Sequence, residues 1–234
     1  MVENNKDMIS GKVVWIDLDD TLWDFKSNSR VALAGLYRDY DLGRWFDSES
    51  AWIECYERHN HALWDQYNHA LIAKEYLMSE RFRRPLAEAG STMTAEYGRL
   101  FDTEYLDRLA QCTVLIDGAV ELLESLRGRG CRIGILSNGF TEVQYRKIRN
   151  SGLEPYVDFV VLSDDIGVNK PDVRIFRHAE AVCGSDAAGC IMIGDNPDTD
   201  IAGALNAGWQ AIYFSRKGDL HPTVQTVNTL RQLF

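Results

Sequence analysis

Short apolar runs and amphipathic stretches alternate through the second half of the chain. Leu122, Leu123 and Leu126 form a helical stripe that the glycines of RGRG stop, and Arg132 to Leu136 follows as a predicted strand. The same alternation gives a helix from Thr141, with capping-box spacing to Gln144 and a stop at Gly152, then a strand over Phe159 to Leu162. Next come a helix opening at Pro171 and running toward Val182, a strand over Cys190 to Ile193, a helix from about Thr199 to Asn206, and a strand over Gln210 to Phe214. Near the start, Lys12 to Asp17 reads as one further strand. From about Lys26 to about Gln111 the periodicity is helical throughout.

Strands alternating with helices imply parallel pairing and right-handed crossovers. The expected fold is therefore α/β: a Rossmann-like parallel sheet formed by residues 1–25 and 111–234, interrupted by a helical cap domain over residues 26–110. In such sheets the carboxyl ends of the strands gather the chemistry around the point where strand order reverses. Four of these ends carry unusual polar groups: DLDDT after the first strand, SNG after the second, a Lys-Pro loop beyond the third and GDNPDTD after the fourth.

Asp17 and Asp19 lie two residues apart, so in extended chain they project to one side. Two carboxylates about 4 Å apart repel by about 4 kcal/mol at an effective dielectric near 20, and Asp195 adds to this. The cluster calls for a cation. Hard oxygen donors with room left for water or phosphate suit Mg²⁺. No H-x-x-x-H face favours zinc, because His59 and His61 are two apart and His69 lies further along. An EF-hand counted from Asp17 would need Gly where Leu22 stands and Glu where Asn28 stands.

DLDDT, SNG, the isolated NKP and GDNPDTD, in this order and in these strand contexts, resemble the haloacid dehalogenase superfamily of phosphohydrolases over the whole chain. The resemblance implies Asp17 as a nucleophile that becomes an aspartyl-phosphate, and Asp19 as the acid that protonates the leaving oxygen and the base that activates water. It implies Ser137, Asn138, Gly139 and Lys170 as holders of the phosphoryl group. It assigns the metal to the Asp17 and Asp195 carboxylates and the Asp19 carbonyl, with Asp200 supporting the metal waters or Lys170. By the same likeness the helical insertion is a lid over the site. Within it, NHALWDQYNHALIAKEYLMSERF resembles the cap of bacterial house-cleaning 5'-nucleotidases at Asn60, Leu63, Trp64, Tyr67, Ile72, Leu77, Arg81 and Phe82, with Ala70 where glycine would be expected. Trp64 and Arg81 are the cap residues expected to meet substrate, although Trp64, Tyr67 and Phe82 at helical spacing also read as cap core, and Arg81 as one half of an internal ion pair. Asp20 and Asp24 read as a solvated turn.

Composition narrows the partners. A formal charge of −10 over 234 residues argues against nucleic acid polymers and anionic membranes. No apolar run reaches a membrane span and MVENNKDMIS lacks the core of a signal peptide, so the expected location is the cytoplasm. Five widely spaced cysteines read as reduced thiols. The expected activity is a Mg²⁺-dependent phosphomonoesterase acting on a small phosphorylated substrate, a nucleoside 5'-monophosphate above all. The rivals are a phosphatase of small phosphorylated acids or sugars, a 2-haloacid dehalogenase, for which the Asp195 cluster would serve no purpose, and a receiver-like phosphoacceptor domain. Oligomeric state is not legible.

Overall fold

Strand β1, Val13–Ile16, is buried at every position, which is why it reads as an unbroken apolar run instead of an alternating one. The computed structural model describes residues 8–92 and 95–234; the polar start, residues 1–7, lies outside them. The chain divides into two compact units, one formed by the chain up to Phe25 with Val114–Phe234, the other by Lys26–Thr113. The second boundary falls at residue 113, beyond the expected 110, because the last helix of the insertion continues to Gln111.

The inserted unit holds helices α1 (Phe25–Asp39, whose first residue belongs to the other unit), α2 (Glu49–Asn68), α3 (Lys74–Glu88) and α4 (Ala95–Gln111). Its core is aromatic: Phe82 packs on Tyr56 and Tyr105 with ring centroids 4.7 and 5.4 Å apart, and Trp52 lies beside them. Arg81 is 3 % exposed and ion-paired with the fully buried Asp102. This pair corrects the expectation of an Arg81 that meets substrate. Its guanidinium is committed to a buried carboxylate, and removing either partner would strand the other charge. Phe82 is core as well, whereas Trp64 stays half-buried, edge-on to Tyr67 at 5.5 Å.

The end of α2 accounts for Ala70. Leu71 N–H donates to Gln66 O at 2.9 Å and Ala70 N–H to Tyr67 O at 3.0 Å, the bond pair of a Schellman cap. That cap needs a left-handed residue, and Ala70 sits at φ 56°, where an alanine Cβ is strained by about 1 kcal/mol.

The other unit continues with α5 (Ala119–Gly128), β2 (Arg132–Ser137), α6 (Thr141–Asn150), β3 (Phe159–Leu162), the single turn α7 (Ser163–Ile166) and α8 (Val173–Cys183). It ends with β4 (Cys190–Gly194), a π-helical turn over Pro197–Ile201 leading into α9 (Ala202–Asn206), β5 (Gln210–Phe214) and β6 (Gln225–Val227). The six strands pair in parallel in the order β3-β2-β1-β4-β5-β6. Strand order reverses between β1 and β4, and their carboxyl ends carry Asp17 and Asp195. Three local expectations need correction. The helix expected at Pro171 begins at Val173, capped by Asp172, which accepts from Arg174 N at 2.9 Å. The helix expected at Thr199 begins two residues earlier, as a π turn capped by Asn196. Thr141 and Gln144 form no capping box: Phe140 occupies the cap position and Gln144 points elsewhere.

Replacing Ala70 by glycine is expected to raise stability by about 0.5 kcal/mol, the relieved strain less glycine's greater unfolded entropy. Urea unfolding monitored by tryptophan fluorescence checks this, and a lower midpoint for the glycine variant would contradict the strained cap.

Candidate active site

Asp17 follows β1, with its amide donating to Ile193 O at 2.9 Å, so the parallel pairing with β4 fixes its backbone. Its side chain meets Lys170, which is 2 % exposed. The Lys170 ammonium donates to Asp17 Oδ1 at 2.6 Å, Asp200 Oδ1 at 2.6 Å and Leu136 O at 2.7 Å. Three N–H donors meet three acceptors. A buried lysine is tolerable only on such terms, and the two carboxylates hold it protonated although burial alone pulls the other way. Asn138 aims it: Asn138 Oδ1 accepts from Lys170 N at 2.8 Å and Asn138 Nδ2 donates to Lys170 O at 3.0 Å. Pro171 follows through a cis peptide bond.

Carboxylate oxygens of Asp17, Asp195 and Asp200 lie within 4.8 Å of one another. Asp200 is positioned by the π turn, where Asn196 N donates to its Oδ2 at 3.1 Å. Gly194 makes room for it, since a Cβ there would fall on the Asp200 carboxylate. Asp195 receives one long hydrogen bond, from Thr21 Oγ1 at 3.3 Å, and among the described residues no lysine or arginine pairs with it. Burial, then Asp17, Asp200 and Asp20, push its carboxyl well above the usual range, with Lys170 opposing. Burial likewise pushes Asp17 up to about 7, against Lys170 and with Asp200 and Asp19.

Asp19, 27 % exposed at its side chain, is held by two residues that motif reading missed. Lys147 Nζ donates to its Oδ1 at 2.7 Å and Gln144 Nε2 to its Oδ2 at 2.8 Å. Gln144 Nε2 also reaches Ser137 Oγ at 2.7 Å. Both residues stand on one face of α6, three positions apart, and Lys147, 3 % exposed, lies over the Trp23 ring at 4.5 Å. The spacing that resembles a capping box is thus spent on the site. Gly139 allows it, because a Cβ at 139 would collide with the Gln144 amide. Ser137 Oγ accepts from Gly139 N at 3.2 Å and from Gln144, which leaves its own proton to donate.

The remaining expected residues fall outside this cluster. Asp20 and Asp24 are half-buried partners of Arg216, at 2.8 and 3.3 Å, which replaces the expected solvated turn. Asp20 takes φ 60° there. Asp198 is exposed. Trp64 and Arg81 belong to the helical unit and are described with it. All five cysteines are free, and no described helix is long and apolar enough to cross a membrane.

The match of residues 12–208 to the model of the haloacid dehalogenase-like hydrolases decides the family. The chain belongs to it, and is an enzyme of the hydrolase class. It is 30% identical over 228 residues to a pyrimidine 5'-nucleotidase of Escherichia coli, YjjG, covering 94% of this chain and 96% of that one. It is 31% identical over 205 residues to a pyrimidine 5'-nucleotidase of Streptococcus pneumoniae, PynA, covering 87% and 84%. The crystal structure of the putative HAD-hydrolase YfnB of Bacillus subtilis, bound to magnesium, superposes with a TM-score of 0.87 at 27% identity over 96% of this chain and 97% of that one.

The residues fit a divalent cation. Counted as fully ionised, Asp17, Asp19, Asp195 and Asp200 would bring four negative charges against two on Lys170 and Lys147, a formal surplus of −2 that protons or a cation must offset. The donors are all oxygen, the set that hard cations prefer. Because the folded chain binds the Asp17 proton more tightly than the unfolded one, Asp17 contributes stability at low pH that is lost as pH rises toward about 7. A cation held by the ionised form would restore it. The Mg²⁺-induced rise in melting temperature should therefore be larger at pH 8 than at pH 6. Equal shifts by differential scanning fluorimetry would refute the assignment.

Proposed function

We propose that the chain is a Mg²⁺-dependent phosphomonoesterase of the cytoplasm that hydrolyses nucleoside 5'-monophosphates through an aspartyl-phosphate on Asp17. One observation carries the reading: Asp17, a buried carboxylate, is bound to a fully satisfied lysine and lies within 4.8 Å of Asp195 and Asp200, in a cluster whose carboxylates outnumber its lysines by two. Such a site binds a cation first and an anion second, the order an anionic nucleophile needs before it can approach a phosphate dianion. The two 5'-nucleotidase relatives support the choice of ester, and the magnesium-bound neighbour supports the choice of ion.

Asp17, Asp195 and the Asp19 carbonyl would hold the ion, with Asp200 behind them. When bound, Mg²⁺ supplies charge neutralisation and orients a phosphoryl oxygen. Ser137 Oγ donates to a second oxygen, and the backbone amides at Asn138 and Gly139 follow it in the chain, the Gly139 amide exchanging its bond to Ser137 Oγ for one to the phosphoryl group. Asp17 then attacks phosphorus; the P–O bond to the alcohol breaks, and the leaving oxygen takes the proton carried by Asp19. Asp19 next removes a proton from water, which displaces phosphate from Asp17. Lys147 and Gln144 fix both Asp19 oxygens, so its rotamer is set before substrate arrives. Lys170 has no unused N–H, so toward phosphate it acts by charge.

Asp19→Ala is expected to accumulate phosphorylated Asp17 in acid-quenched samples; rapid breakdown of that ester would remove Asp19 from the role of base. Lys147→Met should lower kcat by about 10- to 100-fold with little change in KM, part of it regained in Lys147→Arg. An unchanged kcat would make Lys147 structural only. The substrate is tested by phosphate release across nucleoside monophosphates, sugar phosphates and phosphoglycolate, with and without Mg²⁺. Turnover of phosphoglycolate or a hexose phosphate well above dUMP and dTMP would overturn the nucleotide assignment.

A further inference from the structure

A second set of metal-type donors lies within the helical unit. Cys55 and His59 stand one turn apart on α2, and Glu88 closes α3. One donor atom from each of the three lies within 4.8 Å of the others. Considering histidine pairs alone passes over this spacing, because the i, i+4 partner of His59 is a thiol.

The donor distances lie close to those of a coordination shell, with His59 and Glu88 joined directly until an ion enters. Cys55 Sγ is 3.8 Å from Glu88 Oε1, and His59 Nε2 is 2.8 Å from Glu88 Oε2. A tetrahedral ion with bonds of about 2.0 Å to N and O and 2.3 Å to S holds its donors roughly 3.3 to 3.6 Å apart. The observed spacings bracket that range, so small side-chain rotations suffice. Cys55 and Glu88 also line a cavity of about 420 Å³ whose wall includes Asp47, Glu54 and Arg58. Three carboxylates against one guanidinium make it attractive to a cation. Arg58 now grips Glu88 through two bonds, at 2.7 and 3.1 Å, and touches Cys55 Sγ at 3.5 Å. Its side chain is 59 % exposed, so it can withdraw from the sulfur while keeping one Glu88 oxygen.

We propose that Cys55, His59 and Glu88 form a binding site for a thiophilic divalent transition ion of the Zn²⁺ type, with a fourth position open to the adjoining cavity. Mixed sulfur, nitrogen and oxygen ligation excludes Mg²⁺ here and selects Zn²⁺ or Co²⁺. The site is independent of the oxygen-only cluster around Asp17.

The test uses the full-length reduced protein, stripped with chelator and kept in saturating Mg²⁺ to occupy oxygen sites. Co²⁺ titration should reach one equivalent with thiolate-to-cobalt charge-transfer absorption. That absorption should vanish in Cys55→Ser and persist in Cys112→Ser, and His59→Ala should weaken binding by about 100-fold or more, since even losing a partner behind a ligand costs about 10- to 100-fold. As a readout free of any variant, Zn²⁺ should slow iodoacetamide labelling of Cys55 in the wild-type chain, followed by peptide mass spectrometry, and leave Cys112 unchanged. A cobalt spectrum without a sulfur band, a band that survives Cys55→Ser, or equal Cys55 labelling with and without Zn²⁺ would overturn the site.

Discussion

The three hydrogen bonds of the Lys170 ammonium organise everything around them. They tie the end of β1 through Asp17, the β2 backbone through Leu136 O and the turn after β4 through Asp200. Lysine is rarely tolerated at 2 % exposure, and here the cost of burial is offset because each N–H meets an acceptor and two of these are charged. None of these bonds goes to Asp195, whose carboxyl the lysine influences only by its charge. Negative charge that the lysine leaves unpaired therefore gathers at Asp195, whose carboxylate lies within 4.8 Å of those of Asp17 and Asp200.

Backbone geometry sets this arrangement before any side chain is chosen. Parallel strands in the order 3-2-1-4-5-6 bring the carboxyl ends of β1, β2 and β4 side by side, so residues about 120 and 180 positions apart become neighbours. Two glycines then admit side chains where a Cβ would exclude them: Gly194 beneath Asp200 and Gly139 beneath Gln144. In both places the small residue serves the polar neighbour it faces, and it says nothing about flexibility.

Five of the six strands and the four polar strand ends were legible because burial leaves nearly continuous apolar runs, and polar groups gathered at four such ends are more than turns require; β6, Gln225–Val227, three residues at the sheet edge, carries no such run and was not expected. Helix starts were less legible. At Thr141 the local signal for a cap was present and misleading, since Thr141 Oγ1 donates to Asp165 at 2.6 Å and Gln144 serves Asp19 and Ser137. Lys147 carried only a weak local signature: a lysine on a helix normally faces water, and the fold is what shows that this one is buried over Trp23. The i, i+3 spacing of Gln144 and Lys147, one turn beyond SNG, was the available clue. In the helical unit, Arg81 looked like an anion binder because a buried partner 21 residues away is invisible to motif reading. Ala70 stood out as a departure, and its left-handed backbone explains why glycine is the natural occupant.

Asp17 and Asp19 are two residues apart and each is paired with a buried lysine, yet they differ in exposure, and that difference is consistent with the roles proposed for them. Asp17 is 7 % exposed and shares its cation with Asp200. Asp19 is more open and has both oxygens held by α6. A nucleophile has to be desolvated and aimed, so that little rearrangement separates it from the phosphorus it attacks. A group that gives a proton and later takes one from water needs the opposite, an orientation fixed from behind with access to solvent in front. On the proposed roles, exchanging the two environments would leave a wet nucleophile and a sealed acid, and the change from strand to turn between Asp17 and Asp19 is what keeps the environments apart.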